Sequence, residues 1–227
     1  MRGIEVDEIK RKRAPSKRSL ETRQRIFDSA EQLFAERGFD GASIRDIAKL
    51  AGVQTALVNH HGGAKADFFE AIVARRAEPL AQKRLAELAR IRPDLANLSE
   101  EEAVLAVLHA FIDPFLALAR DDTGWQAYAR LVAQVSSDQR WATLAATYFD
   151  PTAQRFLMAL TERFPAAPPA TVAQGFVFTI SAVLGLVTSR WRISALADSK
   201  NRPDDQDVIA GLYSYAGRGF LALLERD

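Results

Sequence analysis

The sequence predicts an all-α protein, and three observations support that prediction. Apolar residues recur at spacings of three and four along most of the 227-residue chain, so that they share one face of each predicted helix. Helix-start signals recur too, such as Ser99 with Glu102 three residues later, which is the spacing of a capping box. The alternation of apolar and polar residues that is typical of a strand is scarce. We therefore expect about nine or ten helices and no sheet.

The chain begins with a basic segment. Within residues 10–25, eight basic residues stand against the single acid Glu21, although the net charge of the whole chain is only +1. Pro15 and Ser16 would interrupt a helix, so residues 1–19 are predicted to form a flexible arm. Most such charge runs are solvated tails, but beside a DNA-binding motif they supply cations to phosphate groups. The remainder of the chain is net acidic, which argues against a protein that coats nucleic acid in general.

Three helices are predicted after this arm, within residues 20–66. The first ends at Gly38, because glycine adopts the backbone conformation of a helix C-terminus without strain. The second begins at Ser43, with Asp46 three residues on in the place of the usual Glu or Gln of a capping box. A tight turn at Gly52 then leads to a short third helix.

Residues 67–227 are predicted to form a second and larger helical domain. Apolar periodicity marks a long helix kinked at Pro79, several middle helices and two apolar helices near the end. One of the middle helices is expected to have Asp150 as its N-cap and Pro151 at its first position. The expected helices cover about residues 66–90, 99–120, 122–136, 150–164, 171–193 and 207–225.

The composition narrows the class of protein. Hydrophobic residues make up 48% and charged residues 26%, which is ordinary for a soluble protein that buries a core. The absence of cysteine excludes disulfides and cysteine-ligated zinc. The N-terminus is charged rather than apolar, so no signal peptide is expected. The most apolar stretch, residues 176–189, is shorter than the roughly 20 residues of a membrane span, so we expect a cytoplasmic protein that contacts no membrane.

Residues 43–61 carry the spacing of a helix-turn-helix. Ala48 is small where two crossing helices would touch, and Gly52 follows four residues later in the turn. The apolar contacts that would fix the angle between the helices come from Ile44, Ile47, Val53 and Val58. This spacing positions the second helix for entry into a major groove. The same pattern also occurs in helical proteins with a purely structural role, and the adjacent basic arm is what favours DNA binding.

Two runs carry a family resemblance: TRQRIFDSAEQLFAERGFDGASIRDIAKLAGV, starting at Thr22, and LVNHHGGAKADFF, ending at Phe69. They resemble the TetR family of transcription regulators. The resemblance implies a three-helix DNA-binding domain, a dimerising C-terminal domain and repression relieved by a small molecule. It implies a phosphate contact for Lys65. The sequence departs from the family pattern at two positions. Gly62 replaces the usual aromatic residue, which implies the loss of a packing anchor, and Ala64 replaces the usual serine, which implies the loss of a helix cap. Together they imply a looser hinge between the recognition helix and the fourth helix.

The resemblance places the recognition helix at residues 54–61. Asn59 can pair with adenine, His60 can donate to a guanine acceptor, and the methyl group of Thr55 can meet a thymine methyl. The full set of expected DNA-binding residues is Arg45, Gln54, Thr55, Ala56, Leu57, Asn59, His60 and Lys65. Neighbouring side chains on a helix point roughly 100° apart. His60 and His61 are therefore not expected to form a metal site, and His61 could instead pack against the next helix.

Aromatic residues in the middle helices allow two interpretations. The commoner one is a solid core, and the one that the family implies is an effector cavity between helices. The candidate lining residues are Trp125, Tyr128, Leu131, Phe149, Phe156 and Phe176, which favour an apolar or aromatic small-molecule effector. Arg130 could neutralise an acidic ligand, although exposed arginines are commoner. His109 is expected to be a core histidine, with a role in the pocket as the alternative.

The two apolar helices near the C-terminus are expected to form a two-fold homodimer, because they are too apolar to be left in water. The expected interface residues are Phe176, Phe178, Ile180, Val183, Leu184 and Val187 on the first, and Ile209, Leu212, Tyr213, Phe220 and Leu223 on the second. Gly175, Ala182 and Gly185 would permit close approach of the helices. Such a dimer would bind a palindromic operator in double-stranded DNA.

The competing hypothesis is an all-helical enzyme or ligand carrier in which the N-terminal helices are a scaffold. The sequence shows no recognisable Gly-rich phosphate loop, nucleophile elbow or pair of catalytic carboxylates. That hypothesis also leaves the basic arm and the spacing of Ala48, Gly52 and Val58 unexplained. We therefore expect a repressor whose operator affinity is modulated by a small apolar ligand, with no enzymatic activity, cofactor or metal.

Overall fold

The computed structural model describes residues 16–120, 122–197 and 204–225. All regular structure in these ranges is helical, which confirms the predicted fold class. The α-helices are α1 (Lys17–Gly41), α2 (Ile44–Ala51), α3 (Thr55–Gly62), α4 (Lys65–Ile91), α5 (Glu100–Ala119), α6 (Thr123–Ser137), α7 (Ala142–Tyr148), α8 (Asp150–Arg163), α9 (Pro169–Ser189), α10 (Trp191–Leu196) and α11 (Asp205–Leu224). Two short 3-10 helices, Leu95–Asn97 and Gln139–Trp141, precede α5 and α7.

The predicted end of the arm is three residues too late. Helix α1 begins at Lys17, because the hydroxyl of Ser16 accepts a hydrogen bond from the backbone N–H of Ser19 at 3.3 Å and caps the helix. Residues 17–19 therefore form the first turn of α1. The rest of the predicted arm, residues 1–15, lies outside the described residues.

The helix-start signals are largely confirmed. Ser99 and Glu102 form a full capping box, in which the Ser99 hydroxyl accepts the N–H of Glu102 at 3.3 Å and a Glu102 oxygen accepts the N–H of Ser99 at 2.9 Å. The exception is α8, whose N-cap is Phe149 and whose first helical residue is Asp150. Because α7 already runs to Tyr148, Phe149 is the single residue left to separate the two helices.

Two further predictions about the middle and the end of the chain were wrong. Helix α7 was not predicted, since seven residues are too few for apolar periodicity to show. The helix expected at residues 171–193 is divided into α9 and α10, with Arg190 between them. The described residues therefore hold eleven α-helices, rather than the nine or ten expected.

The core consists of two hydrophobic clusters. The first joins α1, α2, α3, α4 and α6, and the second joins α5, α8, α9 and α11 with the end of α4. Phe34, Phe68 and Phe69 are fully buried in the first cluster, and each contributes about 1.5–3 kcal/mol of burial free energy. The N-terminal helices therefore share their core with the larger domain, chiefly through α4 and α6.

A buried ion-pair cluster reinforces this junction. Glu31 of α1 is only 1% exposed, and its carboxylate accepts hydrogen bonds from Arg75 at 2.6 Å and from Arg76 at 2.8 Å, both on α4. The guanidinium of Arg76 also lies 4.9 Å from the ring centroid of Trp125 on α6. Residues of α1, α4 and α6 thus meet in this cluster, in which Trp125 contacts Arg76 rather than the carboxylate.

Two helices are long and apolar enough to cross a membrane by length and composition alone, namely α5 and α9. The stretch at residues 176–189 was expected to be too short, but α9 as a whole has 21 residues. In the structure α5 contacts α4, α6, α8 and α11, and α9 contacts α6, α8 and α11. Their apolar character is therefore that of helices packed within a bundle, although one face of α9 is exposed.

Candidate DNA interface and ligand cavity

The predicted helix-turn-helix is formed by α2, Gly52 and α3. Gly52 has φ 65° and ψ 39°, a left-handed conformation that glycine adopts without strain, and its N–H bonds back to the end of α2. The N–H of Val53 donates to the carbonyl oxygen of Ala48 at 3.0 Å, which fixes the turn. Ala48 and Val58 are buried where the two helices meet. The turn and these core contacts hold α3 at a fixed angle to α2.

Most of the predicted DNA-binding residues lie on the molecular surface. Arg45 on α2, Gln54 at the N-cap of α3, and Thr55, Ala56, Asn59 and His60 on α3 are all exposed. Leu57 is half-buried and packs against the first core cluster, so much of its side chain is structural. Lys65 is half-buried as well, with its Nζ atom 4.5 Å from the ring centroid of Phe39.

A groove runs between the start of α1 and α3, and we call it the α1–α3 groove. Its volume is about 1030 Å³. Lys17, Arg18 and Arg25 lie on its α1 side, with one acidic residue, Glu21. Its α3 side and the preceding turn contribute Gly52, Val53, Gln54, Ala56, Leu57 and His60. Cations from the basic segment thus lie beside the exposed face of the predicted recognition helix.

The segment after α3 differs from its prediction. A Cβ atom on Gly62 would lie 2.5 Å from the ring of Phe68, so the fully buried Phe68 already fills the space next to residue 62. Phe68 packs edge-on against Phe27 of α1, with ring centroids 5.0 Å apart, and is itself the packing anchor that was thought to be lost. The loss of the helix cap is confirmed, because Ala64 is the N-cap residue of α4 and makes no side-chain hydrogen bond. The looser hinge stays a prediction.

His61, near the end of α3, is half-buried. Its pKa is lowered because burial disfavours the imidazolium form, and the nearby charges of His60 and Arg23 act in the same direction. The rings of His60 and His61 lie edge to face, with centroids 5.2 Å apart. Within the described ranges, no three His, Asp or Glu side chains form a group that could hold a metal ion.

A cavity of about 310 Å³ lies between α4, α5, α6, α8 and α9. Of the six residues predicted to line it, Tyr128, Phe149 and Phe176 do so. The prediction was wrong for the other three. Trp125 packs edge-on against Tyr128 at 5.6 Å, Phe156 packs against Phe111 at 5.0 Å, and Leu131 is fully buried in the first core cluster. Core and cavity aromatics share the same helical spacing, so spacing alone cannot separate them.

Sequence reasoning missed Arg84, a charged residue that lines the cavity. A signal existed, because Arg84 is flanked at four-residue spacing by Leu80 and Leu88, both buried on the same stripe of α4. Arg130, the residue that was considered for an acidic ligand, is exposed. His109 is not a core residue either: it is half-exposed, lies 3.0 Å from Asp113 and stacks on Tyr213.

The expected dimer helices bury five of the eleven residues that were predicted to form the interface. Phe176 and Val183 of α9, and Leu212, Tyr213 and Phe220 of α11, lie in the second core cluster of the chain itself. Gly175 serves the contact between α9 and α11, since a Cβ atom there would lie 3.0 Å from the Phe220 ring. The exposed face of these helices instead carries Val177, Phe178, Ser181 and Gly185 on α9, and Gly211, Ser214, Tyr215, Arg218 and Gly219 on α11.

Comparison with known families assigns both parts of the molecule. Residues 26–72 match the model of bacterial regulatory proteins of the tetR family, and residues 109–217 match the tetracyclin repressor-like C-terminal domain. The chain belongs to the TetR family. The first match contains the whole helix-turn-helix, and the second contains α6 to α9 and most of the cavity wall.

Individual relatives from the TetR family align with only part of the chain. The transcriptional regulator SrpR of Pseudomonas putida is 36% identical over 95 residues, which is 41% of each protein. The transcriptional repressor AcnR of Corynebacterium efficiens is 32% identical over 81 residues, 34% of this chain and 43% of AcnR. Each alignment therefore spans less than half of the relative.

The crystal structure of the multidrug binding protein EbrR, complexed with malachite green, has the same fold. Its TM-score is 0.57 at 18% sequence identity, and the match covers 88% of this chain and 96% of the EbrR chain.

Proposed function

We propose that this TetR-family protein is a cytoplasmic transcription repressor. It binds a palindromic operator in double-stranded DNA through α3 and releases it when a small molecule enters the cavity. The α1–α3 groove is the observation that carries this proposal, since it sets three cations beside the exposed polar face of α3. Phosphate contacts from such cations supply affinity, and side chains such as Asn59 read the base edges. Arg45 on α2 is exposed, and Lys65 at the start of α4 is half-buried; both are proposed to contribute further phosphate contacts.

Helices α4 and α6 are proposed to connect the cavity to the DNA interface. Tyr128 and Val132 on α6 line the cavity, while Gln134 on the same helix donates to the carbonyl oxygen of Ala35 on α1 at 3.3 Å. On α4, Arg84 lines the cavity two turns beyond the arginines that hold Glu31. A ligand that favours one position of these helices therefore shifts α1 and α3 with them. A ten-fold change in operator affinity needs about 1.4 kcal/mol of such coupling.

A homodimer is proposed to form through the exposed face of α9 and α11. Phe178 is 56% exposed and Tyr215 is 75% exposed, which is unusual for side chains of this size. Glycine and serine surround them, so the backbone of a second copy can approach closely. Two copies related by a two-fold axis can present two α3 helices to successive major grooves, roughly 34 Å apart.

Operator selection tests the proposed function directly. The purified full chain is used to select duplexes from a random DNA pool, and the recovered sequences should share a palindrome. Asn59→Ala should then weaken binding to that palindrome by about 1–3 kcal/mol and relax the preference at one base pair of each half-site. Arg130→Ala is the matched control, because Arg130 is exposed and outside the α1–α3 groove. Recovery of no common sequence would contradict the proposal.

A further inference from the structure

The guanidinium of Arg84 is fixed against one wall of the cavity. Its Nε atom donates to the carbonyl oxygen of Phe111 at 2.7 Å, and its Cζ atom lies 3.7 Å from the centroid of the Phe111 ring. These two contacts hold the plane of the group in place. The terminal nitrogens make no hydrogen bond to any residue that the structure describes. They are free to donate to a molecule in the cavity.

The guanidinium of Arg84 has no ion-pair partner among the residues that the structure describes. No carboxylate in the described part of the chain forms an ion pair with it, and Tyr128 is the only titratable neighbour that influences it. Burial lowers the pKa of Arg84 to about 10, which still leaves the group protonated at neutral pH. Asp150 also lines the cavity, but it is exposed in the first turn of α8. Arg84 is part-buried, and an unpaired cation in such a position costs free energy that a bound anion would offset.

Tyr128 offers a second donor to the same space. Its side chain is 1% exposed and lines the cavity, and its hydroxyl makes no hydrogen bond within the described ranges. Burial raises its pKa above the ordinary value, so the hydroxyl keeps its proton and can donate. The hydroxyls of Thr179 and Ser181, by contrast, already donate to carbonyl oxygens of α9 at 2.9 Å.

We propose that the cavity binds a small anionic ligand, whose carboxylate or similar head group pairs with Arg84 and whose apolar body lies among the aromatic side chains. A guanidinium can donate two parallel hydrogen bonds to such a head group. Phe115, Phe149 and Phe176 supply the apolar wall. The volume of about 310 Å³ suits one compact ligand. This inference rests on the proposed function and names the chemical class of its effector.

Three ligands of equal chain length test the charge preference: decanoate, 1-decanol and decylammonium. Binding of each to the full chain without DNA is measured by calorimetry. Decanoate should bind at least about ten-fold more tightly than 1-decanol, a difference of about 1.4 kcal/mol, and decylammonium should bind most weakly. Arg84→Met should abolish the difference between decanoate and 1-decanol. Arg130→Met, which removes an exposed arginine, should leave it unchanged.

Folding of the variant is controlled in two ways. Binding of 1-decanol should be the same in Arg84→Met as in the wild type, and Arg84→Gln provides a second neutral variant that retains a polar head. Equal affinities of the wild type for decanoate and 1-decanol would overturn the proposal, as would an absence of decanoate binding. A decanoate preference that survives in both Arg84 variants would overturn it too.

Operator binding is measured separately, so that the two proposals fail in different ways. Decanoate that binds at Arg84 yet leaves operator affinity unchanged would contradict ligand-regulated repression, while the anion site would stand. If the protein binds its operator but binds decanoate no more tightly than 1-decanol, the anion site would be contradicted, while DNA recognition would stand.

Discussion

Two arginines of α4, two helical turns apart, illustrate how the two regions of this molecule differ. Arg76 lies at the junction with α1, where the carboxylate of Glu31 accepts its hydrogen bond at 2.8 Å. Burial acts to lower the pKa of Arg76, but the hydrogen bond and charge of Glu31, together with the charges of Asp122 and Asp28, raise it by more. Arg84 lies in the cavity without such a partner, and burial alone lowers its pKa to about 10.

The difference shows which buried charge serves the fold. A buried cation that has its counter-ion within the chain is compensated in the folded state, and removal of either partner destabilises the fold because it leaves an uncompensated charge. A cation without a counter-ion adds nothing to folding and leaves its charge available to a ligand. On this basis the junction of α1, α4 and α6 is structural, and the wall of the cavity near Arg84 is a binding site.

The largest effect is expected at Glu31. Glu31→Gln removes the buried carboxylate that Arg75 and Arg76 share and leaves them only half-exposed carboxylates as counter-charges, so it should lower the free energy of unfolding by about 3–5 kcal/mol. Urea denaturation monitored by circular dichroism measures this change. Glu36→Gln is the matched control, because Glu36 is exposed on the same helix and bonds only to Gln32, and it should change stability by less than about 0.5 kcal/mol. Equal losses of stability in the two variants would show that the junction has no special structural role.

The two arginines themselves should respond differently to the same substitution. Arg76→Met should destabilise the protein by about 3 kcal/mol, because Glu31 loses one of its two cations and both hydrogen bonds from that guanidinium. Arg84→Met should stay within about 1 kcal/mol of the wild type, since the lost bond to the Phe111 carbonyl is offset by removal of an uncompensated charge. Parallel denaturation curves measure both. If Arg84→Met lost more stability than Arg76→Met, Arg84 would be the structural residue of the two, which contradicts the roles assigned above.

A smaller loss is expected from Gly62→Ala. The new Cβ atom would lie 2.5 Å from the Phe68 ring, so the junction between α3 and α4 must shift, at a cost of about 1–3 kcal/mol. Gly211→Ala is the control, because a Cβ atom there meets nothing within 4 Å and alanine in a helix is favoured by about 0.5–1 kcal/mol. Thermal unfolding compares the two variants. Unchanged stability of Gly62→Ala would mean that this segment is as loose as its sequence suggested.

The subtlest effect concerns the exposed cations of the α1–α3 groove. Arg18 and Arg25 are exposed, so they meet phosphate groups in water and contribute through counterion release. The double variant Arg18→Gln/Arg25→Gln should reduce the log–log salt slope of operator binding by about 1.8 units, with α3 and its base contacts intact. Titrations at several salt concentrations measure the slope. An identical slope would show that this side of the groove does not touch DNA.

Local signals in the sequence were enough to predict the N-terminal elements. The helix-turn-helix depends on Ala48, Gly52 and Val58, whose effects act within one turn or between adjacent helices, and the Ser99 cap acts within three residues. Such short-range constraints can be read along the chain. The residues of α3 that were predicted to face DNA came from the family resemblance, and all of them but Leu57 are exposed.

Long-range packing decided the rest. The sequence by itself determined that this chain is helical, where most helices begin and which short segment forms the helix-turn-helix. Only the tertiary structure decided that Tyr128 lines the cavity while Trp125, three residues earlier, packs in the core. It also paired Arg76 with Glu31, 45 residues away, and left Arg84 alone in the cavity. The physical reason is that burial and charge pairing depend on distances between helices, which periodicity along one helix does not contain.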